Sequence, residues 1–169
     1  MKKIVILLVM SVLILSGIFA ENPASGTSKK VLLIFEESNE NTDPWLARLR
    51  AAFASNNIQF DEKSAAQMSG TEMSSYDLIY IYGTVMAFTG KEPIRDWLKT
   101  GPAVDGRKIF LFITANRWFV DKYTGQLTDL LEDGNADIVD TVSAATKELT
   151  DEEKDRIIAL QMGDIKKAY

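Results

Sequence analysis

Val31-Leu32-Leu33-Ile34-Phe35, followed after a polar loop by Asp43-Pro44, is the stretch that decides the fold. Five apolar residues in a row, with no polar alternation, mark a parallel strand buried on both faces. Asp43-Pro44 reads as an N-cap followed by proline at the first helical position. From there Trp45, Leu46, Leu49, Ala52 and Phe53 recur at helical spacing, and Asn56-Asn57 ends the helix.

The same alternation continues outward from this pair. Ile58 to Phe60 makes a short second strand, and Leu78 to Tyr82 a third, stopped by Gly83. Ile94, Trp97 and Leu98 give the next helix an apolar stripe. Gly101-Pro102 and Asp105-Gly106 turn the chain into a fourth strand, Lys108 to Ile113. Leu127, Leu130 and Leu131 mark a further helix closed by Asp133-Gly134, and Asp137 to Val142 is the fifth strand. Thr150 and Glu153 form a capping box for a last helix carrying Ile157, Ile158 and Leu160. Strands alternating with helices over residues 31–169 predict one α/β domain with a doubly wound parallel sheet.

Ahead of it lies a different kind of segment. Met1-Lys2-Lys3 is positive and Ile4 to Ala20 carries no charge, as in the n-region and h-region of a secretory signal. Ile18-Phe19-Ala20 before Glu21 serves as a cleavage site, so residues 1–20 read as a signal peptide and 21–30 as a polar linker. The apolar run is slightly shorter than the ~20 residues a membrane span needs, which favours cleavage; an uncleaved N-terminal anchor is the other reading. The expected location is extracytoplasmic, periplasmic or secreted.

The chain has 19 basic and 24 acidic residues, and loss of Lys2 and Lys3 takes its net charge from −5 to −7. Nucleic acid and anionic membrane surfaces are poor partners for such a protein, whereas a basic redox partner suits it. Cysteine and histidine are absent. This excludes disulfides, thiolate nucleophiles, iron–sulfur clusters, a Ser-His-Asp triad and imidazole metal sites. Neither Ser38 nor Ser143 sits in a Gly-x-Ser-x-Gly elbow, so no catalytic residue is assigned.

Tyr76-Asp77-Leu78-Ile79 entering a strand, Gly83-Thr84-Val85-Met86 after it, and Gly106-Arg107-Lys108-Ile109-Phe110-Leu111-Phe112 beyond the next helix together resemble the middle of a flavodoxin-like protein. The resemblance implies strand order 2-1-3-4-5, with a ligand over the carboxyl ends of strands one, three and four. It also implies FMN and electron transfer rather than catalysis by a nucleophile of the chain's own.

Flavodoxins hold the FMN phosphate in a loop written Thr-x-Thr-Gly-Asn-Thr, and the matching segment here is Glu37-Ser38-Asn39-Glu40-Asn41-Thr42. Asn41 and Thr42 match and are the candidate phosphate contacts. Glu37 replaces the first threonine and Glu40 the glycine, so with Glu36 and Asp43 the loop is rich in carboxylates that disfavour an anion. A solvated turn and a divalent-cation site are the alternative readings of this loop. Met86 and Phe88 after strand three, with Trp118 and Phe119 after strand four, stand where flavodoxins contact the flavin ring; the alternative is that they cover the sheet's end.

Asp140-Thr141-Val142-Ser143-Ala144-Ala145-Thr146 resembles a second signature, the Asp-x-x-Ser-Gly-Ala-Thr at which exported redox proteins carry FMN as a phosphoester on the threonine. The resemblance implies a flavin transferase as partner and Thr146 as acceptor. Ala144 replaces the usual glycine and Glu148 the usual hydroxyl residue. The plainer reading is a fifth strand with Ser143 and Thr146 as turn hydroxyls before the last helix.

Two functions follow from these readings. One is an exported FMN-dependent electron carrier with a non-standard phosphate loop, its flavin covalent at Thr146 or held reversibly. The other is a cofactor-free module of the same fold that binds a protein or small ligand at the same crevice.

Overall fold

The computed structural model describes residues 29–85, 92–115 and 120–168. The expected signal peptide (1–20), the linker up to residue 28, and Met86, Phe88, Trp118 and Phe119 lie outside the described residues.

Five strands form one sheet: β1 (Lys30–Phe35), β2 (Gln59–Ser64), β3 (Leu78–Val85), β4 (Lys108–Ala115) and β5 (Asp137–Ala145). Their order is β2-β1-β3-β4-β5 with every pair parallel, as the resemblance implies. Period-two alternation sends Leu32, Ile34, Ile79, Ile81, Ile109, Leu111 and Ile113 to one core and Val31, Leu33, Tyr80, Tyr82, Phe110 and Phe112 to the other.

Helices α2 (Pro93–Lys99) and α3 (Val120–Asp133) cover the first face, inserting Ile94, Trp97, Leu98, Val120, Tyr123, Leu127 and Leu131. Helices α1 (Asp43–Ser55) and α4 (Asp151–Ala168) cover the second with Trp45, Leu46, Leu49, Phe53, Ile158, Met162 and Ile165. The apolar spacing of each helix matches the face it buries. The connection from β2 to β3 contains only a short 3-10 turn, Ala65–Gln67. Among the described residues no helix is long and apolar enough to cross a membrane.

The capping box before α4 is present: Glu153 N donates to Thr150 Oγ1 (3.2 Å) and Thr150 N to Glu153 Oε2 (2.8 Å). Other boundaries differ from expectation. Thr42, not Asp43, is the N-cap of α1, which places Asp43 inside the first turn. β2 spans Gln59–Ser64 rather than residues 58–60.

β3 does not stop at Gly83 but pairs with β4 as far as Val85↔Ala115. This glycine is a point of close approach, not a breaker: a Cβ there would meet Ile113 Cδ1 at 2.8 Å and Ile94 Cδ1 at 3.3 Å. β5 likewise runs three residues past Val142, because Ser143, Ala144 and Ala145 pair with Ile113, Thr114 and Ala115. A register shift after Ile109 precedes that pairing. Both extensions lengthen the carboxyl edge, where β3, β4 and β5 end level at Val85, Ala115 and Ala145, three residues beyond Phe35 of β1.

Candidate functional site

In an open parallel sheet the crevice lies outside the carboxyl ends of the strands, where the winding direction reverses. Here the reversal falls between β1 and β3, and three groups of side chains define that edge.

The first group is centred on Glu36. It continues the alternation of Leu32 and Ile34, so its side chain goes into the α2/α3 core, where it is 5% exposed. Tyr123 Oη donates to Glu36 Oε1 at 3.1 Å, and Ile94 N approaches Oε2 at 3.4 Å. The missing Cβ of Gly83 leaves room for the carboxyl; a methyl at that position would come 3.5 Å from Oε1. Burial pushes Glu36 up to about 7, against the two hydrogen bonds and with help from the charges of Glu37 and Asp96. Burial and the neighbouring Glu36 together push the Tyr123 phenol upward. The site therefore contains a carboxyl that exchanges its proton near neutral pH.

The second group is a hydroxyl cluster on the other face. Tyr82 Oη and Thr84 Oγ1 are 2.7 Å apart, Thr84 and Thr114 Oγ1 2.9 Å, and Thr114 Oγ1 lies 3.4 Å from Gly83 O. Burial raises Tyr82 to about 12, so it stays a neutral donor. No motif in the sequence singles out Glu36, Tyr123 or this cluster. The signal that marks the strand residues is period-two alternation, which continues through Glu36, Thr84 and Thr114 past the point where each strand's apolar run ends.

The third group is the β1–α1 loop, and it is closed on itself. Asn39 N donates to Thr42 Oγ1 (3.0 Å), Asn41 N to Asn39 Oδ1 (2.9 Å), and Asp43 N to Asn39 O (2.9 Å). Thr42 N bonds Asn39 as well, and Trp45 N and Leu46 N both reach Thr42 O. Pro44 has no N–H, so every donor of the first helical turn is accounted for. The Thr42 hydroxyl, 1% exposed as a residue, donates inward to Glu37 O at 2.6 Å. Ser38 Oγ donates to Asp43 Oδ1 at 2.6 Å.

At the start of α1 the N–H groups of Asp43, Trp45 and Leu46 are thus bonded within the chain, and the exposed carboxylates of Glu37, Glu40 and Asp43 lie around them. An exposed carboxylate ~6 Å away costs a unit negative charge about 0.7 kcal/mol in water, whereas each missing N–H to an anion forfeits roughly 1.5–3 kcal/mol. For an anion at the helix terminus itself, bonded N–H groups therefore weigh more than the charge of Glu37, Glu40 and Asp43. Among the described residues no cluster of three or more acidic or other ligating side chains is arranged to hold a metal ion.

Thr146 lies on the far side of the edge. It is the first residue after β5; its N donates to Ala115 O at 2.7 Å and its Oγ1 to the same oxygen at 3.2 Å. Ser143 Oγ donates to Asp121 Oδ1 at 2.9 Å, and Asp140 Oδ1 accepts from Thr141 N at 2.7 Å. The edge thus brings Asn41, Thr42 and Thr146 to one end of the sheet without bringing them together. β1 and β5 are three strand spacings apart, about 14 Å.

No family model matches the chain, and no curated protein matches it. Solved structures do share its fold. Oxidised flavodoxin 2 from Bacillus cereus superposes with a TM-score of 0.67 at 14% identity, covering 83% of this chain and 99% of that one. The general stress protein 14 from Treponema denticola, in complex with FMN, gives 0.62 at 15% identity, with 83% and 99% covered. Fusobacterium nucleatum flavodoxin bound to flavin mononucleotide gives 0.62 at 10%, again with 83% and 99% covered. The fold is flavodoxin-like.

Proposed function

We propose that the chain is an exported electron carrier of flavodoxin-like fold whose FMN is joined through its phosphate to Thr146. The observation that carries this reading is the position of Thr146, fixed beside the last residue of β4 at the edge where such a sheet takes its ligand. Similarity in fold to FMN-bound general stress protein 14 and to an FMN-bound flavodoxin supports the choice of cofactor. With no cysteine or histidine, the chain needs an imported group for redox chemistry, and FMN supplies it.

The chain's own residues hold and orient. Thr146 is the anchor, the ends of β3 and β4 form the floor, and Met86, Phe88, Trp118 and Phe119 supply flat or apolar partners for the ring. Attachment requires a transferase and a flavin dinucleotide. Thr146 Oγ attacks the flavin-side phosphorus, a new Oγ–P bond replaces the phosphoanhydride bond, and a nucleoside monophosphate leaves. The hydroxyl proton passes to solvent and no electrons change hands. Export rests on Met1-Lys2-Lys3 and the uncharged run to Ala20, with cleavage there and residues 21–30 as linker. The acidic mature chain then meets a redox partner with a basic face.

The closed β1–α1 loop favours a second reading, a cofactor-free module that binds its ligand at the same edge. Expressing the exported chain with a flavin transferase and recording its absorbance separates the two. A flavin spectrum that bleaches with dithionite supports the carrier; a colourless protein supports the module.

A further inference from the structure

Helix α4 buries one face with Ile158, Gln161, Met162 and Ile165 and turns the opposite face to solvent. Leu160 lies at the centre of that outer face. Among the described residues it is the large apolar side chain left exposed, at 63%. One such leucine is ordinary on a protein surface. Its neighbours make it informative. With 3.6 residues per turn, positions three, four and seven away from Leu160 share its side of the helix. On one side these are Ile157, Arg156 and Glu153; on the other, Gly163, Asp164 and Lys167.

Matched at equal distance from Leu160, the two sides complement each other. Arg156 answers Asp164, and Glu153 answers Lys167, opposite charges in both cases. Half-buried Ile157 answers Gly163, whose missing side chain leaves open space. On one helix the charged matches are about 12 and 21 Å apart, too far to pair within a copy. Asp164 does bond Lys167 beside it at 2.8 Å, yet the two side chains keep 42% and 79% of their exposure. A face that is its own complement under a half-turn is what a twofold contact between identical chains requires.

We infer that the outer face of α4 is a contact between two copies of this chain, packed antiparallel about Leu160. The two leucines meet on the axis, and Ile157 of each copy fills the gap at Gly163 of the other. Arg156–Asp164 and Glu153–Lys167 pairs, two of each, flank that apolar centre. A single helix pair buries less than the ~1,200 Å² of a standard interface, so the dimer is weak and forms at high concentration. Its charged pairs are exposed, so salt weakens it. The contact is independent of the flavin reading.

The test is analytical ultracentrifugation of the purified exported chain from about 10 μM to 1 mM, at about 0.02 and 0.5 M salt. At low salt the average mass should climb towards twice that of the monomer as concentration rises, and it should climb less at high salt. A chain that stays monomeric at both salts would overturn the inference and leave this face to a different partner.

Leu160→Glu should weaken association about tenfold or more, with helix content unchanged by circular dichroism. A dimer of undiminished affinity in that variant would place the contact on another surface and overturn the inference. Arg156→Glu sets like charges against each other twice and should also weaken association about tenfold. Adding Asp164→Arg restores opposite charges, so the double variant should return to within about threefold of the wild type. A double variant no tighter than Arg156→Glu alone would rule out the antiparallel register.

Discussion

Tyr123 Oη donates a 3.1 Å hydrogen bond to Glu36 Oε1, tying the carboxyl end of β1 to α3 beneath the switch point of the sheet. Glu36 lies in an apolar core and no cation is bonded to it among the described residues. Its proton is therefore linked to stability.

The sign follows from the direction of the shift. In the unfolded chain Glu36 loses its proton near the ordinary 4.5, whereas in the fold burial holds it until about 7. The favourable contribution is fully present below about 4.5 and is lost as pH rises through 7. The difference amounts to roughly 3 kcal/mol. Glu36→Gln should match the wild type at low pH and become more stable than it by up to that amount above pH 7. Urea unfolding of both proteins from pH 4 to 8 checks this; parallel stability curves would refute the linkage.

Tyr123→Phe removes the donor and leaves the carboxyl with the weak Ile94 contact. At pH 8, where Glu36 is mostly ionised, the loss should cost about 1.5–3 kcal/mol. In a Glu36→Gln background the same change should cost about 0.5–1.5 kcal/mol, since a neutral acceptor is involved. A double-mutant cycle measures the difference, and no coupling between the two positions would contradict the bond.

Gly83→Ala puts a methyl 2.8 Å from Ile113 Cδ1. Overpacking of this kind costs about 1–3 kcal/mol. Ile113→Val trims the clashing carbon, so the double variant should be more stable than the sum of the two single effects predicts. Thermal melts of the four proteins read this directly; strict additivity would mean that the close approach is relieved elsewhere.

The sequence shows the inside of each strand clearly and its end poorly, for a physical reason. Val31 to Phe35 and Leu78 to Tyr82 lie in strands packed on both faces, so composition alone marks them. At the carboxyl edge the pairing continues while composition changes. Gly83 has the look of a breaker and Ser143-Ala144-Ala145 of a turn, yet both are held by ladders to β4. Asp43 resembles a cap, but the loop folds around Asn39 and gives that place to Thr42.

Glu36 is hidden among Glu37, Glu40 and Asp43, from which only its parity with Leu32 and Ile34 separates it. The capping box at Thr150 is legible because its reciprocal bonds are local in sequence. Thr146 stands out in the sequence only through its resemblance to a motif; that it shares an edge with β4 requires the register of β5.

The most direct test is the intact mass of the exported protein made with a flavin transferase, compared with that of Thr146→Ala. The wild type should gain the mass of one FMN less water, and the variant should gain nothing while keeping its fold by circular dichroism. A wild-type chain of unmodified mass, or a flavin adduct that survives in Thr146→Ala, would contradict covalent attachment at this threonine.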